Sequence, residues 1–155
     1  MKVQQLKIKA YCSISDNKVM LNDQLLFEEK GTDFATFIKL AYKQMDTNYP
    51  KFFKMDDLSK LGFLAADILL KPLATDSESA QNIALAFSNS ASSLETDRKH
   101  QDSIIDKENY FPSPAIFVYT LPNICLGEIS IKHRLYSENS FFIFNHFNAE
   151  LYTTK

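Results

Sequence analysis

Residues 113–135 read SPAIFVYTLPNICLGEISIKHRL, and this stretch decides the fold class of the chain. Ser113 is a good helix cap and Pro114 suits the first helical position, so the stretch predicts an apolar helix at its start. Beyond it, residues 140–145 read SFFIFN, an aromatic-rich run typical of a strand. Helices that lead into a buried strand indicate an α/β protein.

The chain before this stretch alternates predicted strands and helices. Near its start, apolar and polar side chains alternate, which is typical of a strand. Apolar residues at helical spacing follow and predict helices, and a short continuous apolar run after them is typical of a buried parallel strand. We therefore predict one α/β domain over residues 1–155, with a mostly parallel sheet packed between helices. The predicted elements are a strand at 6–10, a hairpin arm or extended loop at 19–21, helices capped near Asp33 and Asp56, a polar loop at 75–81, a buried strand at 82–87 and an exposed charged helix or loop at 95–109.

The charge and the hydropathy of the chain argue against nucleic-acid binding and against a membrane-spanning helix. The chain carries a net charge of -2 with acids and bases mixed along its length, so no basic stripe predicts nucleic-acid binding. No run approaches the roughly 18 apolar residues of a membrane helix, and no secretory apolar block follows the first residues. We expect a cytoplasmic protein with no nucleic-acid and no membrane partner. Its two cysteines are too few for a disulfide framework.

The histidines predict no metal site, and we expect no cofactor. His100, His133 and His146 are far apart and lack the spacing of metal ligands. His133 lies between Lys132 and Arg134, which indicates a solvated helix end.

The stretch 113–135 and the strand after it resemble the segment that leads into the catalytic cysteine of the β-ketoacyl-ACP synthases. In that family a Ser-Pro pair opens an apolar helix, an Asn and a Gly stand where this chain has Asn123 and Gly127, and an isoleucine-rich helix leads to a strand that ends at the nucleophile. Here His146 stands at the nucleophile position. Residues 54–94 and the opening strand fit the same order of elements. The resemblance implies a thiolase-like fold, of which this chain represents the N-terminal part of the first half.

The resemblance implies a condensing enzyme without its condensing residue. The family's cysteine thiolate is activated by a helix N-terminus, and His146 is expected at such a helix start, with Asn148 as the cap of the helix that follows. The family's two catalytic histidines and its lysine belong to the second half, which this chain lacks. Ser88, Asn89 and Ser90 replace glycines near the family's substrate, which predicts a blocked or reshaped binding tunnel. A serine-rich solvent loop without a role is the alternative.

The aromatic strand predicts a partner. An apolar strand edge invites pairing when it is exposed, and in the family the matching strand pairs with its own copy across the dimer axis. The resemblance therefore implies a homodimer, or a heterodimer with a complete ketosynthase, whose interface contains Phe141, Phe142, Ile143 and Phe144. A strand wholly buried within one subunit is the alternative.

We expect a non-catalytic ketosynthase-like subunit of fatty-acid or polyketide (polyene-type) biosynthesis. Acyl carrier protein is a further expected partner, through the charged patch at residues 97–100, for which simple solvent exposure is the alternative. Two other functions stay open. One is a divergent acyltransferase with 3-oxoacyl-ACP synthase-like activity that uses His146 or Cys125, and the other is an inactive truncated remnant.

Overall fold

The computed structural model describes residues 7–73, 82–108 and 110–153, which form an α/β arrangement of two small sheets and surrounding helices. The strands are β1 (Cys12–Ser15), β2 (Lys18–Leu21), β3 (Gln24–Glu28), β4 (Leu85–Asn89) and β5 (Asn139–Ile143). The α-helices are α1 (Phe34–Gln44), α2 (Asp57–Leu70), α3 (Leu94–Asp102), α4 (Pro114–Val118), α5 (Ile124–His133) and α6 (Ala149–Thr153), and short 3-10 helices lie at Pro50–Lys54 and Lys71–Leu73. Leu6 and the polar loop predicted at 75–81 lie outside the described residues.

Strands β1, β2 and β3 form an antiparallel sheet joined by two tight turns. Both turns place two consecutive residues in the left-handed region, with φ of 49° and 57° at Asp16 and Asn17 and of 49° and 65° at Asn22 and Asp23. Asp and Asn tolerate this region, and paired left-handed residues give the hairpin turn that matches the twist of the strands. The hairpin arm predicted at 19–21 is therefore confirmed, within β2.

The opening strand lies later in the chain than the alternating pattern predicts. Residues 7–10 are irregular, and β1 begins at Cys12. The two-residue turn fixes the register, with Ser15 opposite Lys18 and Cys12 opposite Leu21, so β1 begins opposite the residue at which its partner β2 ends. The third strand, β3, has no counterpart in the prediction.

Strands β4 and β5 form a separate parallel pair, with Leu85 opposite Asn139 and Asn89 opposite Ile143. Both were predicted as strands, and the parallel pairing is confirmed, but β4 begins three residues later than the predicted run at 82–87. The expectation that this strand is buried is wrong, because Leu85 is the one buried residue of a strand in a sheet of only two described strands. Helices α3, α4 and α5 lie in the connection between them, as a crossover between parallel strands requires. The prediction of one mostly parallel sheet is therefore wrong for the described residues. The two tight turns force the first three strands to run antiparallel in a sheet of their own.

Short polar side chains set the helix starts that were predicted. Asp33 Oδ1 accepts from Thr36 N at 2.7 Å before α1, and Asp56 Oδ1 accepts from Ser59 N at 3.0 Å before α2. Ser113 caps α4 through a longer bond from Ile116 N. Each cap satisfies a backbone donor that the helix leaves unpaired, which stabilises a helix by about 1 kcal/mol.

The core is centred on the packing of α2 against α5. Phe63 and Leu64 on α2 and Leu126 and Ile129 on α5 are completely buried. Burying one such side chain contributes about 1.5–3 kcal/mol, so this pair of helices is a main source of stability. Among the described segments, no helix combines the length and the apolar character needed to cross a bilayer.

Candidate functional site: a cleft at the ends of the parallel strands

The parallel pairing of β4 and β5 places the carboxyl ends of both strands at the same edge. The chain leaves β4 through residues 88–93, which we call the serine loop, and leaves β5 through residues 144–147, which we call the 144–147 wall. These two segments enclose a cleft of about 370 Å³, the strand-end cleft, lined by Ser88, Asn89, Ser90, Phe144, Asn145, His146 and Phe147. Ligands of open α/β sheets bind outside the carboxyl ends of the strands, so this is the candidate site.

The cleft brings together residues that the sequence analysis singled out separately. Ser88, Asn89 and Ser90 form one side and His146 lies on the other. Phe144 and Phe147 add aromatic surface, and the Phe147 side chain is 78% exposed. Apolar rings beside a few hydroxyl, amide and imidazole groups are typical of a site for a small uncharged ligand.

The serine loop is built on an unusual backbone conformation. Ser92 has a φ of 53°, which lies in the left-handed region that glycine adopts most easily. Asn89 stabilises it with two hydrogen bonds of 2.8 Å, because its Nδ2 donates to Ser92 O and its Oδ1 accepts from Ser92 N. The loop thus keeps a glycine-like turn without a glycine.

His146 lies in a bend three residues before α6, which begins at Ala149. The expected position of His146 at a helix start is therefore wrong, although a helix does begin directly after Asn148 as its capping pattern predicted. A helix of only five residues has a weak dipole, and the dipole acts mainly on its own first turn. The side chain of His146 is exposed and faces the cleft rather than a helix terminus.

Cys125 lies on α5, away from the lining of the cleft. Its side chain is 1% exposed, and its Sγ contacts Ser59 O on α2 at 3.8 Å. Burial raises the pKa of Cys125 to about 12, and the nearby negative charges of Asp56 and Glu128 act in the same direction. The thiol is therefore protonated at neutral pH, which removes it as a nucleophile.

Asn123 and Gly127, the two other residues of the family pattern, also lie outside the cleft lining. Asn123 is exposed and occupies the cap position of α5 with no side-chain capping bond. Gly127 lies within α5, and a Cβ placed on it would meet nothing within 4 Å. Gly62 on α2 is the glycine that close packing requires, because a Cβ there would lie 2.9 Å from both Cys125 Sγ and the Phe87 ring.

Strand β5 pairs with β4 along one edge, and no other described strand pairs with its second edge. Phe141 packs against the core, whereas Phe142 stacks on Phe144 with ring centroids 5.8 Å apart. Ile143, at the end of the strand, is 56% exposed. Of the four residues predicted at an interface, Phe141, Phe142 and Ile143 therefore lie on a strand with one open edge, and Phe144 follows directly after it.

A buried polar cluster between α2 and α5 is the feature that the sequence analysis missed. His133 Nε2 lies 3.0 Å from Asp67 Oδ1, and their side chains are 6% and 2% exposed. Neither atom has another partner among the described residues, and Thr47 Oγ1 donates to Asp67 Oδ2 at 2.8 Å. The expectation that His133 is solvated is wrong, because α5 packs its last turn against α2. Asp67 within the apolar run of α2 was the available signal.

A second polar contact lies along the same helix seam. The hydroxyl of Tyr49 donates to Glu128 on α5, whose residue exposure is 9%. Burial, followed by the hydrogen bond to Glu128, raises the pKa of Tyr49 above its ordinary value. Lys51 Nζ lies 3.9 Å from the same carboxylate. This contact anchors the segment after α1 to α5.

Comparison with known proteins leaves these observations without a family assignment. A scan against protein-family models finds no model that matches the chain, and a search of curated proteins finds no matching protein.

Proposed function

We propose that this protein is a non-catalytic β-ketoacyl-ACP synthase-like subunit with a thiolase-like fold, acting in the cytoplasm in fatty-acid or polyketide biosynthesis. The observation that carries the proposal is the strand-end cleft, where the serine loop after β4 faces His146 after β5. The resemblance expects the substrate-side loop and the nucleophile to meet at this edge. The parallel pairing supports this expectation because Ser88, Ser90 and His146 line one cleft, and in the proposed function an imidazole stands where the family has a thiolate.

The ionisable groups of the cleft support a binding role rather than condensation. Of the seven lining residues, His146 alone carries an ionisable side chain. The thiol of Cys125 is buried between two helices and protonated. A stable acyl-thioester intermediate therefore has no donor sulfur at this site.

The open edge of β5 supports the proposed association. A strand edge that carries aromatic side chains pairs readily with another strand, and a two-fold axis through β5 makes the same patch serve both partners. The partner is a second copy of this chain or a complete ketosynthase.

The charged patch on α3 gives the contact with acyl carrier protein less support. Within α3, Lys99 forms an ion pair with Glu95, and Asp97 and Asp102 flank the single other cation, Arg98. The helix therefore presents no net positive charge to an acidic carrier protein.

An association experiment tests the proposal. Ile143→Lys places a charge at the exposed end of β5, and Ile131→Lys is the matched control, because Ile131 on α5 is similarly exposed at 62%. Sedimentation equilibrium should show a dimer for the unmodified protein and for Ile131→Lys, and a monomer for Ile143→Lys. A monomer at every concentration, with no complex formed on mixing with a ketosynthase, contradicts the proposal.

A divergent acyltransferase is the second candidate, because an exposed imidazole shares the cleft with the hydroxyls of Ser88 and Ser90. In this alternative the imidazole nitrogen attacks the thioester carbonyl, the carbon–sulfur bond breaks and the thiol leaves with a proton. Radiolabelled acyl-CoA should then label the protein stoichiometrically, and His146→Ala should abolish the label. Absence of labelling together with dimerisation favours the non-catalytic subunit, whereas absence of both indicates an inactive remnant.

A further inference from the structure

The two sides of the strand-end cleft meet at Asn89. Its backbone carbonyl accepts a hydrogen bond from Phe144 N at 3.0 Å, at the first residue of the 144–147 wall. Its carboxamide makes the two 2.8 Å bonds to Ser92 on the opposite side. One residue is therefore bonded to both sides of the cleft.

The shape of the serine loop depends on those side-chain bonds. Ser92 holds a left-handed backbone that disfavours residues with a Cβ, and the Asn89 carboxamide bonds both its N–H and its C=O. The far end of the loop is fixed elsewhere, since Ser93 is buried and its Oγ lies 2.6 Å from Thr120 O. Ser90 and Ala91 are exposed between these two anchors. Loss of the carboxamide therefore frees the part of the loop that lines the cleft.

We infer that Asn89 is the positioning residue of the strand-end cleft, which couples the serine loop to the 144–147 wall so that the two sides keep one shape. The inference rests on the proposed function in one respect, namely that the cleft receives an acyl group. None of the seven lining residues is Asp, Glu, Lys or Arg, and Phe144 and Phe147 offer apolar surface, so the ligand class is an uncharged acyl chain with its thioester carbonyl. Asn89 acts on this ligand through the loop it holds.

Two substitutions at Asn89 remove different sets of its hydrogen bonds. Asn89→Ala removes both side-chain bonds and keeps the backbone bond to Phe144, whereas Asn89→Asp keeps the acceptor for Ser92 N and loses the donor to Ser92 O. Amide hydrogen exchange followed by NMR reports the Ser92 and Phe144 amides, and calorimetric titration with octanoyl-CoA reports the cleft. In Asn89→Ala we expect roughly tenfold faster exchange at both amides and roughly tenfold weaker octanoyl-CoA binding, since two hydrogen bonds worth a factor of about three to ten each are lost. Asn89→Asp, which keeps the fold closest to the original, should show smaller changes in the same direction.

The control is Ser90→Ala, which shortens an exposed side chain of the same loop and should leave both amides within about twofold of the unmodified protein, well below the effect of a lost hydrogen bond. The inference is overturned if exchange at Phe144 is unchanged in Asn89→Ala while exchange at Ser92 rises, because the two sides are then independent. It is also overturned if neither amide changes. If the unmodified protein does not bind octanoyl-CoA, the acyl part of the proposed function fails, and the exchange data still decide the role of Asn89.

Discussion

Asp67 on α2 and His133 at the end of α5 approach to 3.0 Å in the interior, where both side chains are almost fully buried. Burial alone would raise the pKa of Asp67, but the 3.0 Å contact with His133, the hydrogen bond from Thr47 and the positive charge of Lys132 outweigh it, so the pKa is lowered. The carboxylate is thus kept charged in the core by its partners. Lys132 also donates from Nζ to Asn48 O at 2.8 Å, beside Thr47, so the pair belongs to a contact that joins α2, α5 and the segment after α1.

The Asp67 carboxylate should make the protein sensitive to acid. Because its folded pKa lies below the ordinary value of 3.8, its stabilisation is complete above that value and is lost as the pH falls through the folded pKa. Asp67→Asn should lower the free energy of unfolding by about 3 kcal/mol at pH 7, because it breaks a buried pair. Urea unfolding measured from pH 7 to pH 2 tests both statements.

Asp102→Asn is the control for this prediction, because Asp102 is exposed on α3. It should leave the unfolding curve close to that of the unmodified protein at every pH. An acid dependence that persists unchanged in Asp67→Asn would assign the effect to other carboxylates.

The two helical glycines should respond in opposite ways to a methyl group. Gly62→Ala places a Cβ 2.9 Å from Cys125 Sγ and from the Phe87 ring, so it should destabilise the protein by about 1–3 kcal/mol through overpacking. Gly127→Ala meets open space and replaces a poor helix former, so it should stabilise by up to about 1 kcal/mol. Thermal unfolding of the two variants gives the comparison, and equal effects would mean that α2 and α5 pack differently.

The two cysteines should differ in reactivity. Burial raises the pKa of both thiols, that of Cys125 to about 12, but Cys12 on β1 is only half-buried and therefore more accessible. Iodoacetamide at pH 8 should therefore label Cys12 and leave Cys125 unmodified until urea unfolds the protein. Mass spectrometry of tryptic peptides reads out each site, with Cys125→Ser as the control. Labelling of Cys125 in the native protein would reopen it as a candidate nucleophile.

Removing the hydroxyl of Tyr49 should deprive the Glu128 carboxylate of a hydrogen-bond donor. Tyr49→Phe deletes the donor to a nearly buried carboxylate that otherwise contacts Lys51 at 3.9 Å, so a loss of about 1–3 kcal/mol is expected. Tyr136→Phe is the control, because Tyr136 is 77% exposed and should tolerate the change. Chemical unfolding of both variants at pH 7 measures the difference, and equal stabilities would show that the hydroxyl contributes nothing.

The local signals of the sequence predicted local structure well. The caps at Asp33, Asp56 and Ser113 depend on a few neighbouring residues, and the structure has all three. Strand β3 was missed because its residues, QLLFE, neither alternate nor form a long apolar run. Its pairing instead follows from the turn at Asn22 and Asp23.

Long-range contacts were less accessible from the sequence. His133 is buried in contact with Asp67, which lies far away in the chain and on a different helix. The cleft residues were identified through the resemblance rather than through any local pattern, because Ser88 and His146 become neighbours only when β4 and β5 pair. The capping pattern at Asn148 was the local signal that α6 begins after His146, whereas the expectation of a helix start at His146 came from the resemblance.

The separation of the two sheets also sets an order in which the chain can acquire its structure. The antiparallel sheet uses neighbouring segments and can form while later parts of the chain are still being synthesised, since its loop closures are short. Strand β4 must wait for β5, which follows the whole segment 90–138, and closing a long loop is slow and entropically costly. The cleft can therefore form only once residues 139–147 have also left the ribosome, later than the antiparallel sheet.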